Sequence, residues 1–197
     1  MEFREFPKMA RFSRDFIITE KIDGTNAQID ICNSASDEDD GKIINSIDGW
    51  NIRAGSKNKW IIPTDDNAGF ANWVKKNSEE LVKLGEGKHF GEWWGSGIQR
   101  GYGLQKGEKR FSLFNVVRWN TEERPICCST VPILSVGNFD NVYANIENVL
   151  DNLRTNGSKA SEGFMKPEGI IIWHMAANMG FKKTLEKDEI PKSLQNQ

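Results

Sequence analysis

The segment Glu20-Lys21-Ile22-Asp23-Gly24-Thr25-Asn26 constrains the fold more than any other part of the chain. An apolar, β-branched run, Phe16-Ile17-Ile18-Thr19, leads into it, and an alternating run, Ala27-Gln28-Ile29-Asp30-Ile31, follows. These patterns read as two strands, with the glycine between them supplying a tight turn. Lys21 is then held at the end of a strand, with the carboxylate of Asp23 two residues on. A lysine in water is almost wholly protonated at neutral pH. To act as a nucleophile, Lys21 must lose that proton within a site, where nearby cations help.

Further along, residues 34–41 read as an acidic, turn-prone loop. Residues 42–46 and 50–54 read as strands about Asp48-Gly49, a hairpin signal. From Asn67 to Leu84, apolar Phe70, Trp73, Val74, Leu81 and Leu84 recur at helical spacing. Asn141–Arg154 carries Val142, Ile146, Val149, Leu150 and Leu153 on one helical face, and Asn156-Gly157 supplies a stop. Lys88–Trp94 and Arg110–Trp119 read as strands, the second buried and central, while Glu168–Trp173 and Met179–Thr184 read as closing strands. Many strands with two intervening helices predict an α+β domain.

The chain has 197 residues, 38% hydrophobic and 27% charged, which suits a single globular domain spanning 1–197. Its net charge of −2 argues against a protein that coats nucleic acid non-specifically, so any nucleic-acid contact needs a local basic track. Arg53, Lys57, Lys59, Arg100, Lys106, Lys109 and Arg110 are the candidates, although most such residues are ordinary solvated charges. Three cysteines, two of them adjacent at Cys127-Cys128, give neither a disulfide framework nor metal-ligand spacing. No apolar run reaches membrane-spanning length, and the N-terminus lacks a secretory pattern. The expectation is a cytoplasmic protein with no membrane partner. Seven tryptophans read first as packing residues, with base stacking the sharper alternative for Trp93 or Trp94. His89 and His174, in or beside strands, read as structural.

Lys21–Asn26, as K-x-D-G-x-N, resembles motif I of the covalent nucleotidyltransferases, the superfamily of ATP-dependent RNA and DNA ligases and mRNA capping enzymes. The fuller E-K-x-D-G-T-N is most similar to the RNA ligases. Phe90-Gly91-Glu92-Trp93-Trp94-Gly95 resembles motif III, and Phe111-Ser112-Leu113-Phe114-Asn115-Val116-Val117 motif IIIa. Glu168-Gly169-Ile170-Ile171-Ile172 resembles motif IV, and Phe181-Lys182-Lys183-Thr184 motif V. The matches follow the family's order over nearly the whole chain.

This resemblance implies a ligase adenylation domain, with two packed, mainly antiparallel sheets and flanking helices around a nucleotide groove. It implies an ATP-dependent RNA ligase of the small phage-like kind, joining 5′-phosphate and 3′-hydroxyl ends through lysyl-AMP and an adenylylated strand. The alternatives are a DNA ligase, a GTP-dependent capping enzyme, or a degenerate nucleotide- or RNA-binding module. Such a protein would act in the cytoplasm, that of a host cell if it is phage-encoded.

The implied roles run as follows. Lys21 is the nucleophile, and Asp23 and Glu168 organise Mg²⁺, or Mn²⁺ in its place. Glu20 offers its backbone carbonyl to the adenine amino group, and Asn26 reaches the nucleotide or the reacting phosphate. Arg53, in a loose match to motif Ia, contacts phosphate, with Lys57 as its rival. Glu92 binds a ribose hydroxyl, and Phe114 stacks on adenine, with Phe111 the alternative. Glu162-Gly163 is a decoy for motif IV, because Pro167 interrupts any strand that would follow it.

Motif V departs from the family's K-x-K. Adjacent residues on a strand point to opposite faces, so only one of Lys182 and Lys183 can meet the α-phosphate. Lys182 is favoured, which leaves Thr184 where a second lysine is usual. The expectation is a single domain with no appended C-terminal domain after motif V, so that RNA ends, including nicked duplex, would be gripped by a minimal ligase or with an accessory RNA-binding protein.

Overall fold

The computed structural model describes residues 3–38 and 40–189, and within these the chain forms two compact units. One unit comprises the residues up to Lys21 together with those from Pro132 onward; the other is Ile22–Val131. The chain leaves the first unit immediately after Lys21.

The first unit is built on an antiparallel four-stranded sheet. Its strands are β1 (Asp15–Lys21), β9 (Ile133–Asn138), β10 (Gly169–His174) and β11 (Met179–Thr184), in the order β11-β10-β1-β9. Helix α4 (Val142–Asn156) packs on one face. Phe16, Ile18, Ile170 and Ile172 alternate onto that face and join Val142, Val149, Leu150 and Leu153 in a buried core. The helix stops at Gly157, whose φ of 76° suits glycine.

The second unit carries a seven-stranded sheet. Strands β3 (Asn45–Ile47), β4 (Trp50–Ser56), β2 (Thr25–Asn33), β6 (Gly87–Gly95), β7 (Lys109–Leu113) and β8 (Cys128–Thr130) lie in that order, and β5 (Trp60–Ile61) pairs with β4. All pairings are antiparallel except β7 with β8. Ala27, Ile29, Ile31, Ile52, Ala54, Trp93, Phe111 and Leu113 form the core face beneath helices α1 (Phe70–Lys76) and α2 (Ser78–Leu81). Asn26, Gln28, Asp30, Phe90, Glu92, Trp94 and Ser112 alternate onto the opposite face, as strand geometry requires.

The mixed fold with two mostly antiparallel sheets matches the sequence expectation. Some elements differ. The helix expected over 67–84 breaks at Asn77, whose side chain donates to the Trp73 carbonyl while the Ser78 hydroxyl donates to that of Val74. Side-chain bonds to carbonyls of the preceding turn compete with helical continuation. The strand expected over 110–119 ends at Leu113, and Val116–Trp119 forms the short helix α3. Asn115 sets that boundary by accepting from the Arg118 N–H as an N-cap. Strands β8 and β9 are too short or too polar to announce themselves by alternation. No described helix is long and apolar enough to cross a membrane, and Cys32, Cys127 and Cys128 carry free thiols.

Candidate active site

Register in the first unit brings Lys21 opposite Gly169 on β10. Glu168 precedes that glycine directly, and its Oε2 lies 2.5 Å from Lys21 Nζ. Glu168 is only 4% exposed, so its carboxylate depends on protein partners, Lys21 among them, more than on water. Glu162 lies in an exposed turn and reaches no strand. Gly169 is required where it is, because a Cβ there would collide with the Lys183 carbonyl of β11.

The same register separates the two motif V lysines. Lys182 pairs with Ile171, and Ile171 pairs with Thr19, so Lys182 shares the sheet face that bears Lys21. Lys183 pairs with Ile170 on the α4 face, and its ammonium lies 3.6 Å from Asp188. Lys183, the alternative to Lys182 as a nucleotide ligand, is therefore corrected: it points away from Lys21's face. Thr184 returns to that face opposite Gly169, with its hydroxyl donating to the Glu186 carbonyl.

Glu20 faces the α4 side, one residue out of phase with Lys21, and is 1% exposed. Its carboxylate accepts from the Ser158 hydroxyl at 2.6 Å and from the N–H groups of Lys159 and Ala160 at 2.7 and 3.1 Å. Desolvation outweighs these bonds and raises its pKa. The side chain fastens the turn after α4 to the strand that ends at Lys21, a task that the sequence did not disclose.

In the second unit, the Gly24 turn seats against β6. A Cβ at Gly24 would lie 2.5 Å from the Trp93 carbonyl oxygen and 2.8 Å from Trp94 Cβ, so only glycine permits this approach. The Gly24 N–H donates to Glu92 Oε1 at 3.0 Å, and Asn26 Nδ2 donates to Oε2 at 3.4 Å. Glu92 thus ties motif I to motif III across one strand pair. Asp23 donates its N–H to the Tyr102 hydroxyl at 3.0 Å, and its Oδ2 accepts from Arg100 Nε at 3.1 Å. Tyr102 holds a φ of 52° and is fully buried, a local strain of the kind retained where surrounding structure fixes it. Nothing in the sequence marked Tyr102 as a support; its only local signal is the flanking glycines.

Phe114 lies just past β7 and is 40% exposed, with its N–H bonded to the Phe90 carbonyl. Phe90, 52% exposed, stands beside it on the face that bears Glu92, a second exposed ring that the motif III pattern does not single out. Phe111, the alternative base partner, is instead core, packed on Phe70 and Trp73. Trp93 belongs to the same cluster and donates to the Ala68 carbonyl. Trp94 donates to the Ser112 hydroxyl and packs edge-on to Tyr102. Neither indole is free for a base.

The structure also corrects Arg53. Its guanidinium is 5% exposed and grips the Asp37 carboxylate at 2.7 and 3.0 Å, with a further bond to the Glu38 carbonyl. This bidentate pair holds Asp37 far below the usual carboxylate range and raises Arg53. Arg53 fastens the 34–38 loop rather than presenting itself to a phosphate. Among the described residues, no three metal-ligating side chains gather into a protein-only site. Mg²⁺ commonly takes only one or two carboxylates, with phosphates and water completing its shell, so a single carboxylate such as Asp23 or Glu168 fits an ion brought with a nucleotide.

A sequence model of the RNA ligase family matches residues 14–185. The chain belongs to that family. Among solved structures, a lysine-to-alanine variant of Naegleria gruberi RNA ligase with ATP and Mn matches at a TM-score of 0.58 and 20% identity, over 90% of this chain and 52% of that one. The same ligase with PPi matches at 0.58 and 20%, over 87% and 50%. A glutamate-to-alanine variant with AMP and Mn matches at 0.57 and 18%, over 90% and 53%. At these identities the likeness establishes the RNA ligase fold, and the chain spans about half the length of those chains. None of the curated proteins matches it in sequence.

Proposed function

We propose that the chain is an ATP-dependent RNA ligase that works through lysyl-AMP. The observation that carries this reading is the contact between Lys21 and Glu168 at the end of β1, in a chain of the RNA ligase family. Glu168 fixes the amine and is the acceptor to which its proton can pass. The Lys21 nitrogen then forms a bond to the α-phosphorus of ATP as the bond to pyrophosphate breaks. A 5′-phosphate oxygen of RNA next attacks the same phosphorus and displaces the lysine nitrogen. Last, a 3′-hydroxyl attacks the activated 5′-phosphate and releases AMP.

Each transfer depends on alignment and on neutralising phosphoryl oxygens more than on covalent help from the protein. Lys182, on Lys21's face, supplies cationic stabilisation of the α-phosphate. By family resemblance, Glu92 takes a ribose hydroxyl, Asn26 the nucleotide, and Phe114 the adenine ring. Glu20's assigned role is its backbone carbonyl, toward the adenine amino group. By the same resemblance, Asp23 and Glu168 are each a carboxylate that would take hydrated Mg²⁺ arriving with ATP, and the ion would supply positive charge to the phosphates.

Intact-protein mass after incubation with Mg²⁺ and ATP or GTP tests this. Gain of one AMP, with ATP only and lost in Lys21→Ala, is the expected result. A GMP adduct would move the chemistry to capping. Absence of any adduct from folded protein initially free of AMP would sink the ligase reading in favour of a binding module.

A further inference from the structure

A second cationic feature lies in the first unit, at the end of β1 opposite Lys21. A cavity of about 430 Å³ is lined by Lys8, Met9, Ala10, Arg11, Arg14 and Ala176. Among the described residues, no carboxylate lines it and no ion pair involves Lys8, Arg11 or Arg14. The acids near it in sequence are Glu5, three residues before Lys8, and Asp15, which opens β1; Asp140 accepts from the Ser13 hydroxyl.

This wall is anchored. The Phe139 N–H donates to the Arg14 carbonyl at 2.8 Å, and the Met175 N–H donates to the Asp15 carbonyl at 2.9 Å. His174 Nε2 lies 3.0 Å from the Phe12 carbonyl, and the Phe12 ring meets Phe139 edge-on at 5.0 Å. The cations therefore converge on a concavity whose base is tied to the sheet.

Between this cavity and Lys21 stands Trp173. It pairs with Ile17 and Gly180, on the sheet face that carries Thr19 and Lys21. A Cβ at Gly180 would come within 3.0 Å of the indole, so the ring lies against that glycine, yet it remains 39% exposed. At ~3.3 Å per strand residue, Ile17 is about 13 Å from Lys21, and Arg14 is about 23 Å away. The longer span is roughly that of seven stacked nucleotides, within the site sizes that single-strand binders use.

We propose that the Lys8–Arg11–Arg14 cavity binds backbone phosphates of a single RNA strand whose reacting end is at Lys21, with Trp173 as a stacking platform along the way. The proposal rests on the ligase reading for the position of the reacting end. Cations that follow a backbone and an exposed ring that accepts any base are the two elements of sequence-tolerant strand binding. They let an acidic chain hold RNA locally, through residues outside the basic track expected from sequence.

Fluorescence anisotropy tests this on the full chain, with a 5′-phosphorylated single-stranded RNA of about 20 nucleotides titrated over a range of KCl. The variants are Lys8→Ala/Arg11→Ala/Arg14→Ala and, separately, Trp173→Ala. The triple variant should lose at least about tenfold in affinity, and its salt slope should fall by about 2, at ~0.7 per phosphate contact. Trp173→Ala should lose about tenfold with its salt slope unchanged. AMP adduct formation, measured on the same preparations, should match wild type. If the triple variant does not fold, Arg11→Ala alone should lower the slope by ~0.7. Unchanged affinity and slope would overturn the proposal, as would loss of binding to anionic phospholipid vesicles with RNA binding intact. Lack of an AMP adduct in wild type would instead defeat the ligase reading, leaving the RNA titration to decide this one.

Discussion

Replacing Glu20 by alanine removes one buried carboxylate from three donors at once: the Ser158 hydroxyl and the N–H groups of Lys159 and Ala160. Ala160 keeps a second acceptor in Ser158 Oγ, which also receives the Ser161 N–H, so only part of the turn is orphaned. Hydrogen bonds to a charged group contribute about 1.5–3 kcal/mol net, and a stranded buried donor costs about 1–3. Relief of the desolvation that raises the Glu20 pKa offsets the first of these, so the stranded donors carry the loss. The balance is a loss of about 3 kcal/mol, which for a chain of this size lowers Tm by roughly 6–12 °C.

The pH dependence has a defined sign. A raised carboxylate pKa means that the folded state holds the proton more tightly than the unfolded chain. The contribution of Glu20 is therefore fully present below its unfolded value of 4.5 and is lost as pH rises through the folded one. The stability advantage of wild type over Glu20→Gln should accordingly shrink as pH rises above 4.5. Thermal melts followed by circular dichroism, with AMP adduct formation measured well below the midpoint, check both parts. Glu20 faces away from Lys21, so folded Glu20→Ala should still take up AMP. A Tm within about 2 °C of wild type would refute the turn-fastening role, and loss of the adduct from folded protein would assign the side chain to chemistry.

Lys182→Ala should slow AMP adduct formation by about 10²-fold, whereas Lys183→Ala should stay within about twofold, as single-turnover rates would reveal. Gly24→Ala forces a Cβ into the Trp93 carbonyl and should cost at least about 2 kcal/mol in urea unfolding, together with the adduct. Asp37→Asn should lower stability at neutral pH and converge with wild type on acidification, because a depressed pKa gives stability that is lost as pH falls through the folded value. Arg53→Ala combined with Asp37→Asn should unfold at nearly the same denaturant concentration as Arg53→Ala alone; additive losses would mean that the two do not act as a pair.

Local pattern made several features legible. β-branched runs and alternation marked β1, β2, β6, β10 and β11, and the apolar spacing of Val142–Leu153 marked α4. Lys21, Asp23 and Glu168 could be named because short motifs fix residue types at fixed spacing. Other features have no local signature. Asn115 as an N-cap, and Asn77 as the break between α1 and α2, look like ordinary polar residues until their bonding partners are known.

The amino-acid order alone determined that one of two adjacent lysines must turn away, because side chains on a strand alternate. Only pairing register decided which one: Lys182 meets Ile171 and Lys183 meets Ile170, a choice fixed by contacts between distant strands. The same holds for Arg53, a phosphate ligand by sequence and an Asp37 partner in the folded loop. Glu20 became the fastener of a turn 138 residues away. Lys8, Arg11 and Arg14 became one cavity wall only when the β10–β11 turn closed beside them. Periodicity is encoded residue by residue, but burial and charge pairing depend on which distant segment arrives, and that is settled by packing.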